Sequence, residues 1–259
     1  MPDNYINYDT RDRIAIITLN RPDKRNALNE EMITKLKGYF QKAKDDSGVK
    51  VILLKAEGKV FSAGADLEYL QRLQQNNYEE NHADSRHLME LYWQIYKHPK
   101  MVISQVEGHA IAGGCGLATI CDLCFAVPEA KFGYTEVQIG FIPALVSVFL
   151  TRKIGEGRAR ELLLTARLIN ANEAAGYGLI TQAVEKDKIN DFVLQKAMEF
   201  CNNTSAQSIG QTKQLLADIA GLSIEEALAI AAERNAHARA TEDCQKGIGA
   251  FLNKQKPAW

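Results

Sequence analysis

Met101-Val102-Ile103-Ser104-Gln105-Val106 runs through Glu107-Gly108 into Ala112-Gly113-Gly114-Cys115-Gly116, after which Leu117, Ala118 and Ile120 continue as an apolar stretch. The first part is strand-like, the middle is crowded with glycine, and the last part reads as the opening of a helix. A new apolar run, Leu123 to Val127, restarts a strand. Strands alternating with helices in this way point to an α/β domain.

The same alternation extends outward. Ile14-Ala15-Ile16-Ile17-Thr18-Leu19 reads as a strand that ends in the turn Arg21-Pro22-Asp23. Asn29 is placed to cap a helix whose inward face is Met32, Ile33, Leu36, Phe40 and Ala43. Val51 to Leu54 is a buried strand broken by Glu57-Gly58, and a second small-residue turn, Ala63-Gly64-Ala65-Asp66, follows. Glu79 to His98 has helical spacing, with Leu88, Leu91, Tyr92 and Ile95 on one face. From Ser147 the pattern is mostly helical, with capping boxes expected at Asn170–Glu173 and Ser223–Glu226, a helix stop at Gly178, and a boundary near Ser205. No repeat of solenoid length stands out.

Composition narrows the function. Of 259 residues, 31 are Lys or Arg and 32 are Asp or Glu, with no basic run, so nucleic acid is not an expected partner. The opening residues Met1 to Tyr5 show no basic-then-apolar leader, and no long apolar stretch follows, so neither export nor a membrane span is expected. Five cysteines at irregular spacing suit a reducing cytoplasm. Cys121-Asp122-Leu123-Cys124 lacks a second ligand pair for zinc, so buried free thiols and no metal are expected.

Two features carry chemistry. A Gly-rich turn between strand and helix leaves peptide N–H groups unpaired, and the helix end adds partial positive charge worth about 0.3–1 kcal/mol. Such donors suit an oxyanion, and the Ala63–Asp66 turn can supply a second N–H to the same atom. The glycines also fit plain close packing or a dinucleotide fingerprint, though Thr119 stands where that fingerprint wants Gly or Ala. Glu136 is a lone carboxylate inside Phe132-Gly133-Tyr134-Thr135-Glu136-Val137, surroundings that raise a Glu pKa toward the range useful for proton transfer. No histidine stands out as a base. His98 caps its helix before Pro99, and His109, nearest the Gly-rich turn, reads as a packing residue.

Arg21 to Asn29, Phe61 to Leu67, Gly113 to Ala118 and Phe132 to Pro143, in that order and spacing, resemble the enoyl-CoA hydratase/isomerase (crotonase) family over nearly the whole chain. The resemblance implies a spiral of ββα repeats, with a thioester-binding core at 1–204 and a helical C-terminal region at 205–259 that completes the coenzyme A site and a homotrimer or hexamer. It implies an acyl-CoA substrate, degraded in fatty acid or branched amino acid catabolism, with coenzyme A entering as part of the substrate and no permanent cofactor. By carry-over, Ala65 and Gly113 donate the two N–H groups to the thioester carbonyl. Lys24, Arg25, Ala27, Ala63, Asp66, Leu67 and Gly114 line the substrate and coenzyme A arm, and Phe251 and Lys254 approach from the C-terminal helices. Lys24 and Arg25 also have a reason of their own, since cations pair with phosphates.

One departure matters. Two-carboxylate hydratases of the family carry a Glu where this chain has Gly116, so Glu136 alone remains. Hydration of a 2-enoyl-CoA, double-bond migration between C3 and C2 on a single Glu, dehydration of a hydroxymethylglutaryl thioester on a carrier protein, and a non-catalytic thioester- or RNA-binding role stay open. Gly116, Thr135-Glu136 and Phe141-Ile142-Pro143-Ala144 look most like the methylglutaconyl-CoA hydratase subgroup, a branched, carboxylated acyl class.

Overall fold

Residues 5–259 are described by a computed structural model; Met1 to Asn4, and with them most of the leader reading, lie outside it. The chain opens with an antiparallel hairpin, β1 (Ile6–Arg11) and β2 (Ile14–Leu19). After α1 (Glu30–Asp45) a pattern sets in that recurs three times. β3 (Val51–Ala56) and β4 (Val60–Ser62) precede α2 (Leu67–Leu73) and α3 (Tyr78–Tyr96). β5 (Met101–Val106) and β6 (His109–Ile111) precede α4 (Gly113–Thr119). β7 (Leu123–Ala126) and β8 (Lys131–Gly133) precede α5 (Ala144–Ile154) and α6 (Glu156–Thr165).

Each turn of this pattern gives one strand to each of two sheets. The larger sheet has the order β1-β2-β3-β5-β7-β10, parallel from β2 onward, with β10 at Gln182–Ala183. The smaller has the order β4-β6-β8-β9, where β9 (Ile169–Asn170) closes the edge antiparallel. This is the ββα spiral of the crotonase fold. Sharp passage between sheets needs glycine: Gly58 has φ +87, and a Cβ on Gly108 would stand 2.1 Å from the Lys59 carbonyl. The two Glu-Gly pairs of the sequence are these bends.

Local expectations hold in most places. The Asn29 side chain accepts from Met32 N–H at 2.9 Å, and Met32, Ile33, Leu36, Phe40 and Ala43 are buried beneath it. Leu91, Tyr92 and Ile95 are buried on α3. Ser223 and Glu226 form a full capping box on α10 (Ile224–Arg239). Asn170 caps α7 (Ala171–Gly176), but only half of the expected box forms, because the Glu173 carboxylate pairs with Arg167 at 2.6 Å instead. Gly178 follows α7 with φ +76. His109 is exposed rather than packed, with Nδ1 accepting from Lys131 N–H. His98 is buried against the Phe40 carbonyl, and burial lowers its pKa to about 4, so it is held neutral.

Cys115, Cys121, Cys124 and Cys201 are buried free thiols, and burial pushes the first two up to about 12. Among the described residues no group of three His, Cys, Asp or Glu is placed to hold a metal, and no helix is long and apolar enough to cross a membrane. The last elements are α8 (Ile189–Asn203), which packs on β3 and β5, then α9 (Ala206–Asp218), α10 and α11 (Glu242–Leu252). Ser205 caps α9. None of the last three helices buries a residue fully within one chain, and Leu216, Ile224, Leu228, Phe251 and Leu252 are exposed.

Candidate active site

The β4 and β6 strands lie side by side, with Ser62 opposite Ala110, so the two small-residue turns that follow them emerge together. A Cβ on Gly64 would lie 3.0 Å from Ala112 Cβ and 3.8 Å from Gly113 N. Tertiary contact between the Ala65 and Gly113 turns is therefore direct.

Each turn exposes one N–H for a different reason. Leu28 pairs with Ala65 as a single parallel bridge: Leu28 N–H donates to the Gly64 carbonyl at 2.7 Å, and Asp66 N–H donates to the Leu28 carbonyl at 2.9 Å. A trans peptide points its N–H opposite its carbonyl, so the Ala65 N–H faces away from Leu28. Gly113 is the first residue of α4, where backbone donors have no partner in the helix. The Ala112 carbonyl accepts from Gly116 N–H at 3.1 Å along the helix, which turns the Gly113 N–H outward from its end. Ala112 holds this direction with φ 50 and ψ −128, a conformation non-glycine residues avoid, and its own N–H donates to the Gly133 carbonyl at 2.8 Å.

Glycine at 114 and 116 is forced by packing. A Cβ on Gly114 would stand 2.5 Å from Ser62 Oγ, so α4 sits directly on β4. A Cβ on Gly116 would stand 2.4 Å from Val146 Cγ1 and 2.9 Å from the Tyr92 hydroxyl oxygen. The place where a second acid was looked for is filled by its neighbours.

Gly133, bonded to Ala112, leads within three residues to Glu136, which opens a 3-10 turn at Glu136–Ile139. Burial raises the Glu136 pKa above the ordinary carboxylate range, and its Oε2 is buried with no partner among the described residues. Its charge is felt at Tyr92 and at Cys115 in the first turn of α4, and the Gly133 carbonyl three residues before it holds Ala112 at the head of that helix. An unpartnered carboxylate oxygen in such a place keeps its lone pairs uncommitted to the protein.

Lys24, Arg25, Ala27, Ala63, Asp66 and Leu67 come together because the 22–28 loop pairs with the 63–66 turn. Ala63 N–H donates to the Arg25 carbonyl at 3.1 Å, beside the Leu28 bridge. Lys24 and Arg25 are exposed, with Lys24 Nζ 2.8 Å from Glu68 Oε1. Leu67 is 78% exposed, whereas Ala27 is buried and offers backbone only. Asp66 is 3% exposed, and its carboxylate is taken by Arg21 and the first N–H groups of α2, which leaves its backbone to face the arm. Phe251 is 80% exposed at the end of α11, which packs on α9 and α10.

Sequence reasoning passed over three side chains. Arg21 forms the buried pair with Asp66 and reaches toward the Ala27 carbonyl. Asn26, fully buried, accepts from Arg21 N–H and donates to the Glu57 and Val60 carbonyls, each at 2.8 Å. Tyr92 donates to the Gly113 carbonyl at 2.7 Å. All three lay in stretches already singled out, but a hydrogen bond to a group distant in sequence, backbone or side chain, leaves no local pattern.

Two touching small-residue turns, each with an outward N–H, and one shielded carboxylate stand in a two-sheet ββα spiral. The family model described as Enoyl-CoA hydratase/isomerase matches residues 9–259. A Thermus thermophilus protein provisionally named an enoyl-CoA hydratase is 42% identical, covering 94% of this chain and 96% of its own. The 2,3-dehydroadipyl-CoA hydratase of Escherichia coli is 30% identical over 95% of this chain and 94% of its own. The crystal structure of an enoyl-CoA hydratase from Shewanella pealeana superposes with a TM-score of 0.91 at 32% identity, covering 98% of this chain and 96% of that one. The chain belongs to the enoyl-CoA hydratase/isomerase family and is an enzyme of the hydratase type.

Proposed function

We propose that the chain adds water across the C2–C3 double bond of an enoyl-CoA thioester, and removes it in reverse, with Glu136 as the one carboxylate. The observation that supports this most is the buried, unpartnered Glu136 Oε2, three residues beyond the Gly133 carbonyl that holds Ala112. The thioester oxygen accepts from the Ala65 and Gly113 N–H groups. Ionised Glu136 takes a proton from water as its oxygen bonds C3, and the π electrons of C2–C3 shift to leave an enolate held by the two amides. Protonated Glu136 then returns that proton to C2, which regenerates the carbonyl. The exposed cations Lys24 and Arg25 suit coenzyme A phosphates, while Ala63, Leu67, Gly114 and the backbone at Ala27 and Asp66 shape the arm.

For the acyl group we favour a short, branched, carboxylated chain of the 3-methylglutaconyl kind. Beside Gly116 a void of about 10 Å³, lined also by Thr119, Phe149 and Lys153, borders a recess of about 240 Å³ that shares those three residues and adds Arg152 and Lys213. Lys213 there is paired with Asp122 at 2.6 Å and Lys153 donates to the Cys121 carbonyl at 3.2 Å, so Arg152 is the cation that suits a distal carboxylate, and the 2,3-dehydroadipyl-CoA of the Escherichia coli relative's name is itself a dicarboxylic thioester. A homotrimer or hexamer is our reading of the exposed apolar side chains on α9 to α11, with Phe251 and Lys254 joining the arm in that assembly. The buried free thiols fit a reducing cytoplasm.

A panel of 3-methylglutaconyl-CoA, crotonyl-CoA and a 3-enoyl-CoA, scored for water addition against double-bond migration, tests this. Hydration of the first above the second is expected. Preference for crotonyl-CoA overturns the acyl assignment, migration without hydration overturns the reaction, and silence on all three overturns the catalytic reading.

A further inference from the structure

Tyr92 is fully buried on α3, and its ring meets Phe149 of α5 edge-on with centroids 6.3 Å apart. A phenol in such surroundings costs free energy unless it finds a partner, and this one donates to the Gly113 carbonyl at 2.7 Å. That carbonyl already stands in the first turn of α4, where the regular helical donor is Leu117 N–H. The phenol bond is thus an addition to a satisfied group, and phenylalanine would fill the same volume without it.

What the addition touches is the candidate oxyanion turn. Gly113 follows Ala112, whose φ of 50 is strained and persists only while its surroundings hold it. From the strand side Ala112 is tied by its bond to the Gly133 carbonyl, and from α3 Gly113 is tied by Tyr92. The hydroxyl oxygen also lies 2.9 Å from the point where a Cβ at position 116 would stand. Glu136 is close enough for its charge to favour the neutral phenol.

We propose that Tyr92 is a positioning residue of the thioester site: its hydroxyl pins the Gly113 turn, and with it the outward N–H, in the volume that a second acid at position 116 would occupy. With Val146 Cγ1, nearer still at 2.4 Å, the phenol leaves position 116 no room for a side chain. The proposal rests on the thioester reading above and assigns Tyr92 no proton transfer.

Acetoacetyl-CoA is the probe, because its enolate has its own ultraviolet band and its oxygen would take the two amides without turnover. Tyr92→Phe is expected to lower both the bound enolate fraction and kcat by about tenfold, with KM within about twofold and Tm near wild type. Ile95→Val loosens the same buried face of α3 without touching the hydroxyl, and is expected to lower Tm while leaving the enolate fraction in place. A wild-type enolate fraction in Tyr92→Phe overturns the proposal. So does a loss that follows Tm in both variants, or a Tyr92→Phe chain that does not fold, since the bond is then structural. A wild-type protein that binds no enolate overturns the thioester reading itself, and Tyr92's role with it.

Discussion

The Ala65 turn and the Gly113 turn present one N–H each from the same side of the molecule, but they are built differently. The first is an extended strand end, held by the Leu28 bridge and by the buried Arg21–Asp66 pair. The second is a helix end, held by a strained Ala112 and a phenol from α3. The first turn stores its order in a long-range ion pair, the second in local backbone geometry braced from outside. Loss of one support should therefore be felt mainly as stability in the first turn and mainly as catalysis in the second.

The largest effect that would sharpen this contrast is Asp66→Ala. It leaves the Arg21 guanidinium buried without its partner and uncaps α2, and is expected to lower unfolding free energy by about 3–5 kcal/mol in a denaturant titration. A loss near zero would mean that the pair holds nothing. Gly114→Ala comes next, since its Cβ would stand 2.5 Å from Ser62 Oγ and must push α4 off β4. A cost of about 1–3 kcal/mol is expected by the same titration, together with a fall in kcat that Asp66→Ala does not match for equal destabilisation. Ala112→Gly relaxes φ 50 at no steric cost and should leave Tm unchanged or raise it, by up to about 1 kcal/mol of stability. A fall of that size would show that Ala112 is unstrained.

The smallest effect concerns the carboxylate that faces the second turn. Burial raises the folded-state pKa of Glu136, so the native chain holds that proton more tightly than the unfolded chain. Stability is consequently lost as pH rises from the ordinary carboxylate range through the raised value. Glu136→Gln should show a slightly higher Tm than wild type above that window and none of the gain below it. Equal Tm at both ends would place Glu136 in water.

The contrast also explains what was legible. Gly113 to Gly116 between a strand and a helix announced a helix end with free donors, and Phe132 to Val137 announced a shielded carboxylate, because both signals are local. The helix face from Met32 to Ala43 and the strands at 14–19 and 101–106 were equally plain from periodicity. The short strands β4, β6 and β8 were not, since three residues are too few for a period of two. The ββα repeat came from the family resemblance and not from periodicity, because its turns carry helical segments of unequal length, although Glu57-Gly58 and Glu107-Gly108 mark two of its bends. Asn26 and Tyr92 stayed silent because each bonds backbone more than twenty residues away, and Arg21 because its partner Asp66 lies in another loop.

The central claim is that one carboxylate, Glu136, moves the proton while two amides hold the enolate. It is tested most directly by the turnover of Glu136→Gln on the best enoyl-CoA of the substrate panel, with acetoacetyl-CoA affinity measured alongside. The account predicts a fall in kcat of about 10²–10⁴-fold with that affinity kept; turnover at the wild-type rate would contradict it.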